Sequence, residues 1–412
     1  MDAIKKNLDK IGNNNVNYIF LSLIIVFLII FSFFTWIFNK LRLQDNEYHC
    51  KNYKSDNDGN GNNIKFITNN SKITDNNLNN YIGSATNSSR VDLFKNFHYL
   101  TAYNCCSGRN YKNDWVKSCA LTKALDLGAR CLDFEIFSIN NEPVISSSLS
   151  DDVKNFTIKE TYNYMAFNDA IQIIIGHPNS KKNSNNGPLI LLFRMKSNNP
   201  TIYNKMGETL YENFYNKDDI NDSRLLQYNY NYIFNSETSV LLYTTELIKL
   251  KNKIIIAVYT EYKDFRNTSL SLVTNIKLEK DSAPNAKAIL YRHEELIAKG
   301  ESNSQTIANS KSKLIFVLPP IDNTSKNMDA NIGFSNGCQF IAMKLQFYDN
   351  NLVSYYNFFK SANSVKSGNQ KTSLSPYVLK LTSKRKDKES PNNITPGIPL
   401  TGPDIEIGKI GI

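Results

Sequence analysis

The stretch Ala124-Leu-Asp-Leu-Gly-Ala-Arg-Cys-Leu-Asp-Phe-Glu-Ile-Phe137, continued by Asn141-Glu-Pro-Val-Ile-Ser-Ser147, decides how the rest of the chain is read. Gly128 is a helix stop, because glycine takes the left-handed conformation past a final turn at no steric cost. Arg130 to Phe137 and Pro143 to Ser147 read as strands. Asp133 and Glu135, at i and i+2 of a strand, share one face. Two unpaired acids on an inner face cost free energy unless a metal or a cation offsets them. Arg194, at the end of a later strand, is such a cation.

The flanking sequence repeats the strand and helix pattern. Phe97 to Tyr103 reads as a strand. Asp114 is the expected N-cap of a helix running to Leu127. A helix is expected from Ile158 to Ile175, ended by Gly176-His177-Pro178. Pro188 to Met195 reads as a buried strand, and Pro200 opens a helix at its first turn. Further strands are expected at Lys253 to Tyr259, Leu314 to Leu318, Phe340 to Gln346 and Tyr377 to Leu381, with a short helix at Asn350 to Phe359. Strands alternating with helices imply a parallel α/β sheet. The number of units in one span favours a closed barrel over an open sheet.

Outside this region the composition changes. Residues 1–17 form a short tail. Tyr18 to Phe38 carries no charge, Pro or Gly, and as a helix it matches about 30 Å of hydrocarbon. Phe33, Phe34, Trp36 and Phe38 fill its exit side and leave no small-residue cleavage site, so an uncleaved single-pass anchor is expected. Lys5, Lys6 and Lys10 against Lys40 and Arg42 lean slightly toward an N-terminus inside. Residues 39–90 are rich in Asn, Asp and Ser and read as a stalk. Residues 91–382 hold the barrel, and 383–412 read as a flexible tail.

The chain of 412 residues is 41% hydrophobic and 12% aromatic, which fits a packed globule. About one residue in seven is Asn, the mark of an AT-rich genome. The sequons at Asn69, Asn87, Asn155, Asn221, Asn267, Asn323 and Asn393 are therefore no proof of glycosylation. The net charge of +10 suits a Lys-rich surface and attraction to anionic lipid heads. Nucleic acid is not an expected partner, since the basic residues are dispersed and the one cluster, Lys384-Arg385-Lys386, lies in the tail.

The central stretch resembles the phosphatidylinositol-specific phospholipase C family, whose barrel carries a Gly-Cys-Arg-x-x-Glu-x-Asp strand and then a Pro-Val-x-x-His strand. Phe97 to Cys105 sits where that family has its first His followed by Asn. Pro188 to Arg194 is similar to its strand ending in Leu-Glu. Leu250 to Ile256, Asn336 to Gln346, Phe358-Phe359 and Tyr377 to Lys380 follow in the family's order. The resemblance spans roughly Val91 to Leu381, and it implies a distorted TIM-type (β/α) barrel with its site at the C-terminal strand ends.

The family cleaves a phosphodiester with two His residues acting as base and acid. Where calcium is used, an Asn, a Glu-x-Asp pair and a further Glu hold it. Carried over residue by residue, the first His falls on Tyr103 and the Asn on Asn104. The second His falls within Ser146-Ser147-Ser148, at Ser147. The acid pair falls on Asp133 and Glu135 with the acids swapped, and the further Glu falls on Arg194. The resemblance thus implies a barrel with vestigial calcium ligands Asn104, Asp133 and Glu135. No metal or cofactor is expected, and calcium only if the chain is active. Some metal-independent relatives use an Arg where others use calcium, so Arg194 alone does not exclude activity.

None of the four His residues is placed to substitute. His49 lies in the stalk, His98 on the outer face of the first strand, His177 in a turn away from the site, and His293 on an expected exposed helix. Cys131 and Cys338 are expected as inert core residues. Cys105 or Cys106 with Cys119 is a candidate disulfide, and no spacing suits zinc. The expected function is a membrane-anchored, catalytically silent barrel that binds a phosphoinositide head group or a protein partner. The alternatives are an active diester hydrolase on phosphatidylinositol-type lipids and a structural membrane protein of a large DNA virus, located in the virion membrane.

Overall fold

The computed structural model describes residues 18–38, 93–108, 110–149, 159–180, 187–216, 223–226, 241–283, 286–322, 326–361 and 376–381. The expected stalk, the C-terminal tail and His49 lie outside them. The chain divides into two units, residues 1–56 and 57–412. In the first, Tyr18–Phe38 forms one helix of 21 residues with a mean hydropathy of 2.7. By length and composition it can cross a membrane, and a signal sequence passes the same test.

The second unit is a closed barrel of eight parallel strands. These are β1 (Phe97–Ala102), β2 (Cys131–Ile139), β5 (Leu189–Met195), β6 (Ile254–Tyr259), β7 (Ile276–Glu279), β8 (Ala288–Arg292), β9 (Leu314–Leu318) and β10 (Phe340–Met343). Closure is made by β1, which pairs in parallel with β10 through Tyr99–Phe340 and with β2 through Thr101–Cys131. Three short strands lie outside the ring. β3 (Glu142–Ser146) folds back antiparallel on β2, β4 (Met165–Ala166) adds to β3, and β11 (Tyr377–Leu379) pairs antiparallel with the start of β1.

Alternation along each strand sorts side chains into two cores. Tyr99, Cys131, Leu192, Ala257, Phe316 and Phe340 belong to the cluster inside the ring. Their neighbours Leu100, Leu132, Leu191, Ile256, Val317 and Ile341 belong to the larger cluster between the ring and its helices. The inner core is aromatic. Phe316 stacks on Phe340 at 4.1 Å, and Tyr99 stacks on Phe340 at 4.7 Å. The barrel is therefore plugged below its site, and its C-terminal strand ends form a mouth.

The helices covering the ring include α1 (Ser118–Asp126), α2 (Phe167–Gly176), α3 (Pro200–Phe214), α4 (Leu241–Thr244) and α5 (Ser269–Val273). They continue with α6 (His293–Lys299), α7 (Ser304–Ser312), α8 (Asn331–Ser335) and α9 (Asn350–Ser361). Pro200 does open α3, capped by the Asn199 side chain. Gly128 has φ 86°, as a helix stop requires.

Several expected elements differ. α1 begins at Ser118, four residues after Asp114. The Asp114 carboxylate instead accepts from Asn110 N and Trp115 N, closing a turn. Val116 and Lys117 then donate their N–H groups to Asn163 Oδ1 and Cys106 O, so this segment cannot coil. α2 begins only at Phe167. Residues 159–164 before it are held by Glu160 N to Ser147 O and Tyr162 N to Asp114 O. β7 and β8 were not anticipated, and β11 is an appendage rather than a barrel strand.

Candidate functional site

Three inward-facing strand ends build the site. β1 runs out into Tyr103 and Asn104, β2 supplies Asp133 and Glu135, and β5 supplies Arg194. The register of β2 with β5 sets Glu135 directly opposite Arg194 and Asp133 opposite Leu192. All these side chains are buried. Asp133 is 0%, Glu135 1% and Arg194 2% exposed.

Arg194 spends its donors on these neighbours. Nε and Nη2 reach the two oxygens of Asp133 at 2.7 and 2.9 Å. Nη1 reaches Glu135 Oε1 at 2.7 Å, and Nη2 also reaches Asn104 Oδ1 at 3.0 Å. Asn104 closes the network. Its N–H donates to Asp133 Oδ2 at 2.9 Å, and its Nδ2 to Glu135 Oε1 at 3.4 Å. This needs a left-handed backbone, and Asn104 has φ 41°, a conformation that Asn tolerates better than most residues. The second Glu135 oxygen accepts from Ser148 N at 2.9 Å. Bidentate charge-assisted bonds of this kind offset much of the cost of burying the charges.

The electrostatics follow from this geometry. Burial alone would lower the Arg194 pKa. The carboxylate charges of Asp133 and Glu135 overcome that and hold it well above its ordinary value. Arg194 Cζ also lies 4.9 Å from the Tyr103 ring centroid, a cation–π contact. Burial pushes the Tyr103 phenol up, against the lowering effect of Arg194 and Arg292. A phenol held protonated is a poor general base at neutral pH.

Ser147 is 0% exposed, and its hydroxyl donates to Tyr111 O at 3.1 Å. Ser146 Oγ bonds Thr161 Oγ1. Three residues here were not anticipated. Tyr111 packs edge-on against Tyr103 at 5.3 Å. Lys344 Nζ lies 4.9 Å from the Tyr111 ring. Arg292, closing β8, donates to Pro319 O at 2.8 Å and to Tyr103 Oη at 3.4 Å. Lys344 follows Phe340 and Ala342 at the same alternation, so counting by two along that strand would have found it. Arg292 and Tyr111 left no such signal, because β8 and the Cys106–Val116 loop were not read.

The described His residues lie apart from this network. His98 Nδ1 is 2.6 Å from Cys338 O, and its ring packs edge-on against Phe334 and Phe358, on the outer face as expected. His177 is 3.1 Å from Asp126 at the end of α1. His293 is buried rather than exposed, with Nε2 3.0 Å from Asp329 O. The candidate disulfide is corrected. Cys105 and Cys106 are buried and not disulfide-bonded, as are Cys131 and Cys338. Cys105 Sγ points instead at Asp133 O, 3.1 Å away, and burial beside Cys106 pushes its thiol pKa well up. Cys119 is disulfide-bonded, but not to Cys105 or Cys106. Among the described residues, no group of three or more His, Cys, Asp or Glu could hold a metal ion.

No family model matches the chain, and no curated protein does. Solved structures do. PLC21 of S. officinalis is similar at 15% identity and a TM-score of 0.53, and PLC21 of L. pealei at 16% and 0.52. Each match covers 73% of this chain, and this chain spans only 38% of either structure. A calcium-dependent phosphoinositol-specific phospholipase C from Pseudomonas sp. is 10% identical with a TM-score of 0.40, covering 64% of this chain and 95% of that one. At such identities the likeness is one of fold: the chain folds as the closed eight-stranded TIM-type barrel of the phosphatidylinositol-specific phospholipases C.

Proposed function

We propose that this protein is a membrane-anchored phospholipase C-like barrel that does not hydrolyse phosphodiesters and instead binds an anionic phosphoinositide head group at its mouth. The carrying observation is Arg194, which stands where the family resemblance places a calcium-binding Glu and bonds Asp133, Glu135 and Asn104 together. A guanidinium there repels a divalent cation and uses up the ligands that would hold it. On the same resemblance the two His positions are Tyr103 and Ser147. Both are buried, and neither is an acid–base group near neutral pH. Arg292, and Lys344 with its ammonium 3.7 Å from Asp322, bring positive charge beside the sealed network, which favours an anionic head group over a neutral one. Tyr18–Phe38 supplies the anchor that keeps the barrel near lipid.

Calorimetry with the purified full-length chain in detergent tests this reading, using soluble inositol trisphosphate as the probe. Binding is expected, weakened by about tenfold in a Lys344→Gln, Arg292→Gln variant, since hydrogen bonds to charged groups are worth about 1.5–3 kcal/mol. Binding that is absent, or unchanged in the variant, would overturn the head-group reading.

A further inference from the structure

Arg130 immediately precedes β2, at the end of the barrel opposite the mouth, and its side chain is only 1% exposed. Nη1 donates to the Asn179 carbonyl at 2.9 Å. Among the described residues, Nε and Nη2 have no acceptor. These two donors share one edge of the guanidinium. It is the edge with which Arg194 takes both oxygens of Asp133. Such an edge matches two oxygens of one carboxylate or phosphate.

A second guanidinium stands beside it. Arg224 donates through Nη2 to the Ser180 carbonyl and through Nε to Asn252 O at 3.4 Å. The two arginines therefore bond consecutive carbonyls, Asn179 and Ser180, of one turn. Burial, then repulsion by Arg130, lowers the Arg224 pKa to about 10. Among the described residues, every acceptor these arginines reach is a neutral carbonyl. A buried guanidinium beside a second, half-buried one, both with only neutral acceptors, is costly unless an anion offsets the two charges.

We propose that Arg130 and Arg224 form an oxyanion site at the N-terminal end of the barrel, taking a phosphate group, free or as a small monoester. Two positive charges favour a phosphate dianion over a carboxylate. The site shares no residue with the mouth, so it stands apart from the reading of that end.

The test is the melting temperature of the full-length chain in detergent, against rising inorganic phosphate and, in parallel, glycerol 3-phosphate. Sodium chloride at matched ionic strength is the reference. A saturable rise in either phosphate series is expected, and the series that saturates at lower concentration names the source. Arg224 is partly exposed, so Arg224→Gln should fold, and it should weaken the effect about tenfold or more. Arg130→Lys keeps the charge, loses the two-pronged edge, and should weaken it too. Phosphate series that merely track chloride would overturn the proposal and leave buried water as the partner of Arg130. An effect undiminished in Arg224→Gln would overturn it equally, whether or not Arg130→Lys folds.

Discussion

Arg194 binds two buried carboxylates, so its loss leaves both without their cation. Removing one partner of a buried ion pair costs about 3–5 kcal/mol, because the remaining charge is uncompensated. Arg194→Ala should therefore lower the denaturation midpoint by an amount in that range, and Arg194→Lys should recover only part of it, since an ammonium cannot bond Asp133 bidentately. A midpoint unchanged in Arg194→Ala would show that the network adds nothing to stability. The meeting of Asp133, Glu135 and Arg194 was legible in the sequence, because strand alternation puts the two acids on one face and the family resemblance puts Arg194 beside them. The disulfide was not. Cys105 lies close to Cys119 in the chain, yet closure of β1 on β2 turns its thiol toward Asp133 O. Sequence spacing carries no information about that turn. His293 was misplaced for a related reason: β8 runs directly into α6, so Ala288–Lys299 offers no turn to separate buried strand from helix.

The loops over the mouth are tied down by Glu160. Its carboxylate accepts from Leu149 N at 2.6 Å and pairs with Lys112 at 3.0 Å. Partial burial acts to raise its pKa, but the hydrogen bond from Leu149 and then Lys112 outweigh it, and the net shift is downward. A carboxylate with a lowered folded pKa stabilises the fold above its unfolded value and loses that contribution as pH falls through the folded one. The stability difference between the protein and a Glu160→Gln variant should thus be full at neutral pH. It should shrink on the acid side of the ordinary Glu value, about 4.3, in urea titrations run across that range. A difference independent of pH would rule this out. Elsewhere α3 crosses α5 at Gly207, where an added Cβ would overlap the Ser269 carbonyl carbon and come within 2.6 Å of its oxygen. Ala gains about 0.8–1 kcal/mol over Gly in a helix interior. Overpacking against immovable backbone costs about 1–3 kcal/mol, so the clash should win and Gly207→Ala should melt lower. A higher melting temperature would show that the two helices can separate. Boundaries such as the start of α1 escaped the sequence because tertiary bonds from Asn163 and Cys106 overrode a good N-cap at Asp114.

The barrel is one cooperative object, because β1 bonds to both β2 and β10 and the inner core stacks residues from both ends of the chain. Phe340→Ala removes a ring packed against Tyr99 and Phe316, and it should destabilise by about 3–5 kcal/mol. Mild proteolysis should give no two separately folded halves divided near Lys280. Overall architecture was legible from the order of strands and helices, while β7 and β8 were missed because their short runs are interrupted by half-buried residues such as Lys277, Glu279, Leu290 and Arg292, unlike the unbroken buried runs of β9 and β10. On the proposed reading, the barrel keeps a phospholipase C-like fold but has Tyr103 and Ser147 where the family resemblance expects its two His. General acid–base groups are each worth about 10²–10⁴ in rate, so on that reading turnover should not be measurable. The decisive measurement is release of inositol phosphate from phosphatidylinositol by the purified protein, with calcium and with chelator. We predict release no greater than that of a Tyr103→Ala, Ser147→Ala control under both conditions. Release above that control, and above all release that depends on calcium, would contradict the account.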